Sequence, residues 1–188
     1  VGPLPELGLV ALRQQRRALA MDEFKRSVEL RPDFVDARVQ LATYLLESGN
    51  PDEALPQLDA ALKYQSENVK ARLNRADAYR LLGKVPEAKA EFEWVAKKDG
   101  TMPQTYYGLG LLYLNSQTVP GMDEKARLAA AISSLEKYQQ LRSKTASDDS
   151  DQLLQRAKAK QDAINANEQA AAQASAQAAA AAQSASDR

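Results

Sequence analysis

The sequence predicts an all-α protein of stacked helix pairs, and three observations carry that reading. Small residues recur at Gly8, Ala42, Ala76 and Gly110 with spacings of 34, 34 and 34, and again at Ala20, Ala54, Ala88 and Ala131 with spacings of 34, 34 and 43. Large apolar residues keep step with them, at Phe24, Leu58, Phe92 and Leu135 four places after the second set. Long stretches without Gly or Pro carry apolar residues at helical spacing, and no alternating strand pattern competes. A Gly or Ala on each helix lets a pair cross with backbones close together, while Leu, Phe and Tyr fill the flanking space.

Unit one spans 1–34, unit two 35–68, unit three 69–102 and unit four 103–143, each expected as helix, turn and helix. In unit two the first helix is expected over Val35 to Ser48, with Val39, Leu41, Leu45 and Leu46 on one broad face. Gly49 tolerates the left-handed backbone that ends a helix. Asn50 is placed to cap the next helix, with Pro51 at its first position and Glu53 set for a capping box. Unit three repeats this punctuation with Gly83 and Pro86. Unit four carries an insertion of nine residues, the difference between spacings of 43 and 34, in a loop over Ser116 to Met122 that turns at Pro120 and Gly121. Asp123 then starts a longer helix reaching about Arg142.

After polar punctuation from Lys144 to Asp149, Leu153, Leu154, Ala157 and Ile164 predict a capping helix over 144–165, covering the open end of the array. The rest, 166–188, is an Ala/Gln-rich arm. Thirteen of the 24 residues from Ala163 to Ser186 are Ala. Ala favours helix, yet this arm has little to bury, so a protruding helix and a frayed tail both stay open.

These columns resemble the tetratricopeptide repeat, W-x2-L-G-x2-Y followed by A-x3-F, A and P. Tyr106, Leu109, Gly110 and Tyr113 take the W, L, G and Y places of unit four, while Leu4, Leu7, Gly8, Ala20, Phe24 and Pro32 follow the pattern in unit one. Unit three departs, with Arg72 and Arg75 at the W and L places and Gly100 where Pro is usual. Ser66 replaces that Pro in unit two. The resemblance covers about residues 1–143 and implies a right-handed α-solenoid of about four repeats from a bacterial protein of this family.

Composition narrows the chemistry. The 188 residues contain no His and no Cys, so there is no thiol nucleophile, Ser-His-Asp triad or ordinary zinc site, and neither a metal nor a cofactor is expected. Basic and acidic residues balance at 25 each, without the basic face of a nucleic-acid binder. The longest strongly apolar run, Tyr106 to Leu114, is far short of the ~20 residues of a membrane span. The chain opens at Val1 without a basic n-region or an apolar h-region, so a removed signal and an upstream region both stay open, and with them bacterial cytoplasm and envelope. Gly108-Leu109-Gly110 belongs to the repeat, since no strand precedes it and the third Gly of a dinucleotide loop is absent. Paired carboxylates such as Asp52/Glu53 and Asp123/Glu124 stand at helix starts, where the macrodipole favours acids. No catalytic residue is expected, and the chain is read as a non-enzyme.

The family resemblance implies binding on a concave face lined by first helices. Carried over by position, that face comprises Val39, Gln40, Thr43, Leu46 and Glu47, then Lys70, Leu73, Asn74, Asp77 and Arg80, then Gln104, Tyr107, Leu111 and Leu114. Its mixture of apolar and polar groups suits an extended segment or helix of another protein. The family's Lys/Asn/Asn/Lys/Arg carboxylate clamp does not fit. In one register only Lys70 matches, and in the next only Asn74. The leading expectation is therefore an interaction adaptor. A structural subunit packed through its edges and C-terminal helix is second, and an RNA-binding helical repeat is third.

Overall fold

The structure, a computed structural model, describes residues 6–143 and 148–186, with side chains over 15–143 and 148–183. Among the described residues there are eight helices and no strand: α1 (Glu6–Leu30), α2 (Val35–Glu47), α3 (Pro51–Tyr64), α4 (Val69–Leu81), α5 (Val85–Lys98), α6 (Pro103–Asn115), α7 (Glu124–Leu141) and α8 (Ser150–Ser186). The fold is an all-α helical repeat. It divides into two compact units between Gly108 and Leu109, within α6.

In the first unit α1 packs on α2, α2 on α3 and α4, α3 on α4, and α4 on α5. The small columns lie at these crossings: Ala42, Ala54, Ala76 and Ala88 are fully buried, beside Leu58 and Phe92. A side chain added at Gly108 would drive into the Phe92 ring, so the close approach of α6 requires glycine there.

The repeat extends to individual backbone bonds. Gly49, at φ 76°, ends α2 with its N–H on the Leu46 carbonyl and that of Asn50 on Leu45. Gly83, at φ 70°, ends α4 the same way, onto Arg80, with Lys84 onto Tyr79. Both are left-handed terminations that satisfy the last helical carbonyls. Pro51 and Pro86 then enter α3 and α5 within their first two positions. The Asn50 side chain makes no cap bond. Asn68 does cap, accepting from the Ala71 N–H at 2.9 Å. Pro56 sits within α3 without ending it.

Unit one differs from the expected helix pair, because α1 runs unbroken from Glu6 to Leu30. The physical reason is local. Subtracting one period from Gly49 and Pro51 lands on Gln15 and Arg17, and Gln15-Arg16-Arg17 are all good helix formers with no left-handed stop among them. The C-terminal part of α1 still occupies its repeat role, with Phe24 stacked on Tyr44 at 5.9 Å between ring centres. The repeat positions at Leu4, Leu7, Gly8 and Ala11 lie outside the described side chains.

In the second unit Gly110 lets α6 meet α7: a Cβ there would stand 2.7 Å from Leu135. Val119 and Met122 pair across the turn at Gly121, and Asp123 caps α7 through the Ala126 N–H at 2.7 Å. α8 packs on α7 with Leu153 and Ala157 buried. Residues 166–183 are exposed on every side but stay helical, as Ala propensity favours. Of the punctuation segment, 144–147 lie outside the described residues.

Candidate functional site

The places that tryptophan takes in the repeat pattern hold Arg38, Arg72 and Tyr106, and all three do one job. Arg38 Nε donates to the Pro32 carbonyl at 2.7 Å, Arg72 Nε to Ser66 at 2.9 Å and Tyr106 OH to Gly100 at 3.2 Å. Each bond ties a first helix to the turn six residues before it. The same arginines reach second helices one period apart, Arg38 to Gln57 and Arg72 to Glu91. Arg72 also lies over the Trp94 ring at 4.1 Å, so the departures of unit three are an alternative way of pinning the hairpin.

α2 and α4, thus held, stand side by side. Asn74 Nδ2 on α4 donates to Thr43 Oγ1 on α2 at 2.8 Å, and the Thr43 hydroxyl in turn donates to the Val39 carbonyl at 2.9 Å. Around this bond the face is polar and its charges are locally matched. Arg80 binds Asp77 through Nε at 2.8 Å and Nη2 at 2.7 Å. Glu47 pairs with Arg17 on α1, whose guanidinium also lies over Tyr44. Gln40, Lys70 and Gln104 are exposed, while Leu46, Leu73 and Tyr107 are half-buried.

Two expected face residues lie elsewhere. Val39 is only 5% exposed and joins the core around Leu41 and Leu45, and in the second unit Leu114 is 2% exposed. Both sit at the border of the helix face, where an apolar side chain turned inward gains roughly 1.5–3 kcal/mol over one left in water. Leu111, also in the second unit, is half-buried. The structure therefore brings together Gln40, Thr43, Leu46, Glu47, Lys70, Leu73, Asn74, Asp77 and Arg80 on α2 and α4.

The sequence reading missed the charged cluster between α3, α4 and α5. Arg75 donates to Asp59 at 2.9 Å and to Glu91, which Arg72 also engages. Burial opposes the Arg75 charge, but the bonds to Asp59 and Glu91 outweigh it and raise its pKa; burial also raises that of Tyr79. Asp59 and Glu91 each face a cation in this cluster. The signal was visible as Arg38 and Arg72 one period apart.

Among the described residues no cluster of three or more acidic groups could hold a metal ion, and no helix is long and apolar enough to cross a membrane. Residues 39–103 match the tetratricopeptide repeat family. The crystal structure of MamA superposes with a TM-score of 0.57 at 16% identity, covering 88% of this chain and 99% of that one. That likeness is one of fold. The family likeness is carried by residues 39–103.

Proposed function

We propose that the protein is a non-catalytic adaptor that holds a segment of a protein partner across the first-helix face. The observation that carries this reading is the Asn74–Thr43 bond, which sets α2 and α4 in register beneath a row of unburied polar side chains. Asp77 pairs with Arg80 and Glu47 with Arg17 of α1, which leaves Lys70 as a cation of that row outside any ion pair among the described residues, so a partner is held mainly by shape, amide hydrogen bonds and a few anchors. No nucleic acid is expected as ligand, since the face has no surplus of cations. After a partner is isolated from native extract, Asn74→Ala, Arg80→Ala and Tyr107→Ala are each expected to weaken it by about 1–2 kcal/mol. Lys63→Ala and Lys89→Ala, on second helices, should change little. Circular dichroism checks that helicity is kept. Loss of binding only in the second-helix variants would remove the first-helix face from consideration.

A second reading rests on α8, whose residues 166–183 remain helical and exposed. In that reading the chain is a structural subunit of a larger assembly and α8 is its joining edge. Deleting 169–188 would then abolish assembly while the three face variants retained it.

A further inference from the structure

The nine-residue insertion opens a cleft of about 400 Å³ in the second unit, where the end of α6 and the inserted loop meet α7 and α8. Its walls are mainly polar. Asn115, Ser116 and Gln117 line one side, and Arg127, Arg156 and Lys160 bring three cations against the single carboxylate of Glu124. Two observations set this cleft apart from an ordinary charged surface.

Arg127 is buried, its side chain 7% exposed. Its Nη1 donates to the Tyr113 carbonyl at 2.5 Å, but its Nε is buried with no acceptor. The carboxylate it pairs with among the described residues, Glu124, is 3.6 Å away and 65% exposed. A guanidinium removed from water needs its charge and donors met, and a distant, hydrated carboxylate meets them poorly. Arg156 and Lys160 lie one turn apart on α8, so both project from the same side of that helix. Arg156 spends one donor on Asn115 Oδ1 at 2.8 Å. Lys160 makes no bond or ion pair with any described residue.

We propose that this cleft binds the oxyanion group, phosphate or carboxylate, of a small ligand. Arg156 and Lys160 supply the charge-assisted donors, Ser116 and Gln117 complete the hydrogen bonding, and the buried Arg127 charge adds a fixed positive field. The volume accommodates a ligand larger than the bare anion. This site does not rest on the first-helix reading, and its failure would leave that reading intact.

The test is titration of the ¹⁵N-labelled full chain with inorganic phosphate and, separately, with succinate, holding ionic strength constant with sodium chloride. The Ser116 and Gln117 amides should shift and saturate. Arg156→Gln and Lys160→Gln should each weaken the response about tenfold, the value of one charge-assisted bond. Lys63→Gln, on α3, should leave it unchanged. Saturation by phosphate alone identifies a phosphorylated ligand, by succinate alone a carboxylate ligand, and by both a site that reads charge without shape. Non-saturating shifts with both anions, or an affinity in the two α8 variants equal to that of the parent chain, would overturn the proposal.

Discussion

The hairpins α2–α3 and α4–α5 and the single helix α1 come from the same 34-residue period, yet they end differently. Each hairpin turns at a glycine with positive φ followed closely by proline, and its carbonyls are satisfied by the same pair of backbone bonds. α1 has the matching small and aromatic residues at Ala20 and Phe24 but Gln15-Arg16-Arg17 where the stop belongs, and it continues. Buried columns alone therefore do not make a hairpin here. The columns decide what packs; a left-handed residue decides where the chain reverses. α8 makes the same point from the other end, since nothing interrupts it and it runs for 37 residues with little to bury after Ile164.

The strongest way to break this comparison is to graft the missing stop. Replacing Gln15→Gly, Arg16→Asn and Arg17→Pro puts proline inside a continuous helix, which costs about 3 kcal/mol or more unless the chain turns there. The change also removes the Arg17–Glu47 pair. Circular dichroism should show lost helix, and hydrogen exchange should show early opening around residues 15–20. Amides there as protected as in the parent would mean that the absent stop is not what keeps α1 whole.

The reverse change is Gly83→Val, which forces a branched side chain into φ 70°. Nothing crowds that position, so the cost is conformational, roughly 1–2 kcal/mol. The unfolding midpoint should fall accordingly. A midpoint equal to the parent's would show that the turn is held by its neighbours instead.

A third change tests how α8 starts without a glycine turn. The Asp148 carboxylate is bonded by Tyr138 at 2.5 Å, Arg142 at 2.7 Å and the Ser150 N–H at 2.9 Å. Burial alone would raise its pKa, but the bonds from Ser150, Tyr138 and Arg142 prevail and hold it below the ordinary carboxylate range. Its stabilising effect is thus complete above the unfolded value of about 3.9 and is lost as pH falls through the lower folded value. Asp148→Asn should cost about 1 kcal/mol at neutral pH, as a lost cap does. The variant should also flatten the acid limb of stability measured below pH 4. An acid limb identical in both proteins would place the sensitivity elsewhere.

The smallest effect is expected from deleting 169–188. No large apolar residue is lost, and the Lys125–Glu168 pair remains. The midpoint should move by no more than the ~0.5 kcal/mol of an ordinary surface change. A drop like that of Gly83→Val would mean that the Ala-rich stretch packs on the body after all.

Much of this was legible in the sequence because it depends on residue type and spacing. Ala42 and Ala76, Ala54 and Ala88, and Leu58 and Phe92 lie one period apart, and all are buried where helices cross. Gly49 and Gly83 end their helices because glycine reaches positive φ at little cost. The unbroken α1 departs from the expected helix pair, although the absence of any stop near Gln15 was the signal for it. Tertiary structure alone decided which border residues turned inward, since the burial of Val39 and Leu114 depends on what the neighbouring helices cover. It also decided which polar groups met. Asn74 reaches Thr43 across 31 residues and Arg156 reaches Asn115 across 41, and no spacing within one helix encodes such contacts. Local propensity and periodicity act over a few turns of chain, whereas a hydrogen bond between helices exists only once packing has brought both ends within about 3 Å.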